Sequence, residues 1–308
     1  MAISKSSPFQ HPQVRWLIAV GLAAGILTAL VLELVRTVAQ LPLAAEDPLF
    51  VPFTYLAMFG GCSLWLMAVY RHQGIALGAL LGPLPSPSRV RLGVWLAFAA
   101  LVFSVGAFQF TYGLLARWMP GYVEAALSQD LFLGGTETPW PWLYNGLMAL
   151  VLLVAAPVLE ELIFRGAMLH RWGYRWNGPV AVVGSSLLFG ILHANWVGLG
   201  MFGLVMALLY VQTRSLWLVM GIHALNNGVA VGLDRLGHWF FAETATTVVE
   251  FQQGWWLGLL LMAIALPVLI RYIRRVWPLT AQPLPYFINA NVNVSGPPIP
   301  AVEQKELP

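Results

Sequence analysis

Residues 138–165 read TPWPWLYNGLMALVLLVAAPVLEELIFR. The run 138–159 contains no charge, and as a helix rising 1.5 Å per residue it is long enough to cross the ~30 Å hydrocarbon core of a bilayer. Glu160, Glu161 and Arg165 follow with no glycine or proline between them. The spacing therefore predicts one membrane helix that carries three charges near its end, where charge is costly and marks function by default.

Outward from this stretch the pattern repeats. Uncharged runs of similar size cover roughly 16–32, 49–70 and 92–116, and shorter ones cover 180–192, 196–211, 216–233 and 254–270. Together they predict an all-α polytopic transmembrane bundle of about eight spans in a single domain, residues 14–277. Composition agrees. Hydrophobic residues make up 59% and charged residues 9%, against about 25% charged in soluble domains. Too few charges remain to cover a water-soluble surface, and disorder, collagen, coiled coil and disulfide scaffold are excluded as the main architecture. Cys62 is the single cysteine, which removes any intrachain disulfide and any CxxC metal site. Residues 1–13 are polar, and the first apolar run is too long for a signal-peptide core and lacks a small-x-small exit, so it reads as a retained span. Residues 278–308 contain Pro278, Pro283, Pro285, Pro297, Pro298, Pro300 and Pro308 and read as a disordered tail.

Charge between the spans alternates. Arg36, Arg117 and Arg235 fall on one side, and the other 13 of the 16 basic residues fall on the opposite side. The positive-inside rule then places both termini in the cytoplasm. The basic balance follows from topology and contact with anionic headgroups, so no nucleic-acid partner is expected.

Helix geometry sorts the buried polar residues. Glu160 and Glu161 are 100° apart and cannot share a face. Glu161 and Arg165 are i,i+4 in the favourable order, which makes Glu161 the structural partner of Arg165. Glu160 has no partner on its own helix, and a lone carboxylate in an apolar cavity suits a general base. Phe189 and His193 are i,i+4, which sets an aromatic one turn above a histidine, and Ser186 lies on the same stripe. His223 and Asn227 are also i,i+4 and point into one cavity; Asn226, at i+3, falls near that face. Each residue alone also has a bland explanation: a hydrogen-bonded packing histidine, an asparagine joining two helices, an ion cluster at a helix end. Their convergence on the fourth, fifth and seventh spans favours a site.

EExxxR, then FxxxH, then HxxxN, in that order on hydrophobic helices, resembles the CPBP intramembrane protease family, which includes the CAAX prenyl endopeptidases and bacterial bacteriocin-processing and immunity proteins. The resemblance covers about 142–236. It implies a glutamic-type endopeptidase in which Glu160 and His193 activate water while His223 and Asn227 bind the oxyanion, with Glu161, Arg165 and Phe189 as structural support. The chemistry is consistent with these roles: a base, an orienting imidazole and two donors are what peptide hydrolysis needs. No GxSxG, HExxH or intramembrane Asp pair is present, which disfavours serine, zincin and aspartyl chemistry. No cofactor is expected to be required, with a His₂Glu zinc site at Glu160, His193 and His223 as the alternative. The implied substrate is a membrane-associated protein or peptide, and the implied location is a bacterial plasma membrane, where the prenylated substrates of the family name are not expected. A non-catalytic scaffold or immunity factor of the same fold and a proton-coupled transporter are the rival readings; missing internal repeats count against the transporter.

Two further expectations concern geometry. Gly228-x-x-x-Gly232 permits close helix approach, within the bundle or between copies in a dimer. Counted along the helices, His193 lies ~21 Å from Pro179, deeper toward the outside than Glu160 or His223. A tilted fifth helix or a recessed 171–178 connection would reconcile it.

Overall fold

The computed structural model describes residues 8–10, 12–128, 131–134, 136–241 and 247–291, with the side chains of 238–241 outside that description. The order is a 3₁₀ turn at Pro8–Gln10, then α1 (Val14–Val38), α2 (Phe50–Gln73), α3 (Leu77–Leu81), α4 (Pro87–Leu115), α5 (Pro120–Leu127), α6 (Pro141–Arg175), α7 (Gly178–Ile191), α8 (Trp196–Thr213), α9 (Leu216–Phe241), α10 (Val248–Gln253), α11 (Trp255–Val276) and α12 (Pro285–Asn289). Among the described residues there is no strand.

Local chemistry sets the helix ends. Proline opens α4, α5 and α6, where its missing N–H costs nothing. Asn177 and Asn195 cap α7 and α8 by accepting from Val180 N–H at 2.9 Å and Gly198 N–H at 3.2 Å.

Among the described residues seven helices are long and apolar enough to cross a membrane: α1, α2, α4, α6, α8, α9 and α11. The expected fifth span is the exception. With 14 residues, α7 reaches only about 21 Å, and it pairs with α8 as a hairpin. Gly190 and Gly200 bring the two backbones together: a Cβ on Gly190 would lie 2.8 Å from Gly200 Cα. The α6–α7 connection is just Trp176 and Asn177, and Leu284 packs over Gly173 and Gly178. Trp176 itself stays 57% exposed, so Leu284 covers only the flanking glycines, and His193 lies in the turn just beyond the end of the short α7 at Ile191.

Between lipid-facing helices there is no hydrophobic driving force, so small residues that admit close contact decide the packing. Gly106 of α4 and Gly258 of α11 face each other, and a Cβ on Gly258 would stand 2.6 Å from Phe110 N. The Gly228/Gly232 pair does not work this way: Gly228 makes ordinary contact with Leu153, and Gly232 has nothing within 4 Å. The centre of the bundle is α8, whose residues from Val205 to Tyr210 are 0% exposed.

The C-terminal segment also differs from expectation. Residues 278–291 fold back onto the bundle, while 292–308 lie outside the described residues. Tyr286 N–H donates to His170 Nε2 at 3.1 Å, and Asn289 Nδ2 donates to the carbonyls of Ala79 and Arg214 at 2.9 and 3.0 Å. Phe9 stacks on His170 at 4.8 Å and meets Tyr286 edge-on, which closes the chain ends over this side.

Candidate active site

The fourth span, α6, is not a uniform α-helix. Residues Val151–Ala155 and Leu162–Met168 are π-helical, and wider turns of this kind recur at functional sites. The first has a local cause. Ala156 N–H bonds to Val151 O rather than to Leu152 O, and the next donor along is Pro157, which has no N–H. Leu152 O is thus left without a helical partner, and Asn227 Nδ2 of α9 donates to it at 2.9 Å.

Glu160 and Glu161 lie between the two π segments, both nearly unexposed at 4% and 0%. Glu161 Oε1 accepts from Arg165 Nη1 at 2.8 Å, the pair expected from i,i+4 spacing. The same oxygen lies 2.9 Å from His223 Nδ1. Arg165 Nη2 donates to Gly203 O at 2.9 Å, and its guanidinium lies 4.8 Å from the Phe189 ring centroid. Phe189 also packs beside His193 at 4.6 Å and His223 at 5.9 Å, so one ring braces the cation and both imidazoles.

His193 occupies the turn after α7 ends at Ile191. Its Nδ1 lies 2.6 Å from Phe189 O. A carbonyl only accepts, so Nδ1 carries the proton and Nε2 is free. The same logic holds at His223, where an ionised Glu161 takes the Nδ1 proton in hydrogen bonding. Its Nε2 is 3.9 Å from Glu160 Oε2. The turn that carries His193 is tied to α4: Asn195 Nδ2 donates to Ser104 O and Oγ at 2.8 and 2.9 Å, and Tyr112 OH donates to Ala194 O at 3.3 Å.

Glu160, His193, His223, Asn226 and Asn227 line one cavity of about 300 Å³, with Tyr55 beside them. Its apolar walls include Val51 and Pro52 from α2, Met148, Val151 and Leu152 from α6, and Leu199 and Phe202 from α8. Tyr55 OH donates to Glu160 Oε1 at 2.7 Å. Among the described residues Glu160 Oε2 is buried with no hydrogen-bond partner. Ser186 takes no part, since its hydroxyl donates back to Val182 O at 2.6 Å. Sequence spacing had no means of finding Tyr55 or Ser104, because each reaches this region from another helix; Asn195, two residues after His193, gives no such signal because its partner Ser104 is 91 positions away.

Among the described residues no three His, Cys, Asp or Glu side chains are grouped so as to hold a metal ion.

Residues 141–229 match the family model described as type II CAAX prenyl endopeptidase Rce1-like. This segment carries all three motifs and every polar residue of the cavity except Tyr55. Over this segment the chain is similar to that family. The chain is similar to Putative membrane peptidase YdiL of Bacillus subtilis (strain 168), with 33% identity over 92 residues, or 28% of this chain. The match spans 36% of that relative's length. No solved structure matches the chain. Together with seven membrane-length helices among the described residues, this match makes the chain an integral membrane protein.

Proposed function

We propose that this protein is an intramembrane endopeptidase that hydrolyses peptide bonds of membrane-associated or C-terminal peptide substrates. The observation that carries the reading is the unpartnered Glu160 Oε2 in a cavity shared with His193, His223 and Asn227. In this mechanism Glu160 Oε2 takes a proton from water while His193 Nε2 orients the same molecule. The hydroxide oxygen attacks the scissile carbonyl carbon. The resulting oxyanion accepts from the second N–H of Asn227, whose first is committed to Leu152 O, and from His223 Nε2. His223 serves as that donor when doubly protonated, its positive charge facing the Glu161 carboxylate. Collapse breaks the C–N bond, and Glu160 returns its proton to the leaving amine. No metal takes part in this proposed mechanism.

The apolar walls suit hydrophobic side chains flanking the cleaved bond. The proposed setting is a bacterial plasma membrane with both termini cytoplasmic. The test is purified full-length protein in nanodiscs, incubated with a library of membrane peptides beside Glu160→Gln. Cleavage by the wild type and not by the variant is expected. Wild-type protein that leaves the whole library intact would favour the scaffold reading, and proton flux in liposomes would favour the transporter.

A further inference from the structure

We propose that Tyr55 is a positioning residue for Glu160, so that the working site extends beyond residues 141–229 to α2. The inference rests on the reading of Glu160 as the base. The phenol donates to Oε1 at 2.7 Å, a well-formed O–H···O bond. Among the described residues it is the only side-chain hydrogen bond joining α2 to α6. The Tyr55 ring is itself fixed, stacked on Phe59 at 4.5 Å and 16°. Val51 and Pro52 lie on the same helix, one turn earlier, and line the same cavity.

This contact makes the two carboxylate oxygens inequivalent. Oε1 is occupied by a donor, so the proton taken from water goes to Oε2. That oxygen is the one 3.9 Å from His223 Nε2. Tyr55 also limits rotation of the carboxylate, which holds Oε2 toward the cavity before substrate arrives; such preorganisation acts on the chemical step rather than on binding. A tyrosine on α2 does not serve merely by being there. Tyr70, on the same helix, has no hydrogen-bond partner for its hydroxyl and does not line the cavity.

The test compares wild type with Tyr55→Phe, which removes the hydroxyl and keeps the ring stack. Full-length protein in nanodiscs is expected to lose roughly ten- to hundredfold in kcat, with KM within about twofold and an unchanged unfolding temperature. Infrared difference spectra give a second readout that needs no turnover. The carboxylate band that disappears in Glu160→Gln should shift in Tyr55→Phe. An unmoved band, or a Tyr55→Phe kcat equal to wild type, overturns the proposal. A shifted band in a wild-type protein that cleaves nothing still supports the Tyr55–Glu160 pairing, and assigns the failure to Glu160 as base.

Discussion

His223 Nδ1 lies 2.9 Å from Glu161 Oε1, the same oxygen that accepts from Arg165. Spacing along α6 assigns Glu161 to Arg165 alone, yet the carboxylate also fixes which face of the His223 imidazole meets the cavity. Ion pair and site are one network: Gly203 O–Arg165–Glu161–His223, with Glu160 at its edge.

The two glutamates should therefore fail differently. Glu160→Gln keeps shape and removes the base, so the protein should fold normally and lose turnover. Glu161→Gln leaves Arg165 buried without its counter-charge, a loss of about 3–5 kcal/mol in soluble examples, and also frees the His223 ring. It should lower both unfolding temperature and kcat. Paired thermal unfolding and turnover measurements check this, and a Glu161→Gln protein with wild-type stability would contradict the network.

Asn227 carries two duties. Asn227→Ala should cost about 1 kcal/mol of stability by leaving Leu152 O unsatisfied, and about 3 kcal/mol in the chemical step by removing an oxyanion donor. The stability cost should shrink in a Pro157→Ala background, where residue 157 regains an N–H for Leu152 O. A double-mutant cycle on unfolding temperature tests this coupling; additive effects would break the link between Pro157 and Asn227.

Packing of α4 on α11 depends on Gly106 and Gly258. Gly258→Val forces a side chain into the Gly106–Phe110 backbone and should destabilise by about 1–3 kcal/mol. Gly232→Ala, with nothing within 4 Å, should be near neutral. Equal unfolding temperatures for the two variants would argue against that helix contact.

Reporter fusions after Arg71, Arg175 and Arg275 should report a cytoplasmic location, and those within 118–138 and 236–250 an external one. The short α7 leaves this unchanged, because it leaves from and α8 returns to the same basic side. A cytoplasmic reporter at 118–138 would refute the arrangement.

Metal dependence is a separate question. Activity is expected to survive strong chelation after metal-free purification. Elemental analysis that finds one tightly bound zinc per chain, with activity lost on its removal and restored on its return, would overturn the metal-free mechanism.

Hydropathy made the spans legible, because a bilayer demands ~20 consecutive apolar residues and that demand is met locally along the chain. Of the eight expected runs, α7 is the one that forms a shorter apolar helix. Nothing in the composition of 180–192 reveals that the helix stops at Ile191 or that its start is covered by Leu284. The disordered tail was misread over 278–291 for a related reason: prolines argue against long helices, but they do not prevent Leu284 and Tyr286 from packing into a groove built by distant segments.

The site divides along the same line. Sequence alone determined that Glu160, Glu161, Arg165, His223 and Asn227 are polar residues on apolar helices, with His193 at the end of another, and that Glu161 pairs with Arg165, since 3.6-residue periodicity fixes neighbours one turn apart. Tertiary structure alone decided the contacts between helices. Tyr55 meets Glu160 across 105 positions, Asn195 meets Ser104 across 91, Asn227 meets Leu152 across 75, and His223 meets Glu161 across 62. Periodicity carries no information about how two helices cross. Those crossings, set by packing between segments distant in the chain, leave Glu160 Oε2 without a hydrogen bond while Tyr55 holds Oε1 and Leu152 O takes one Asn227 N–H.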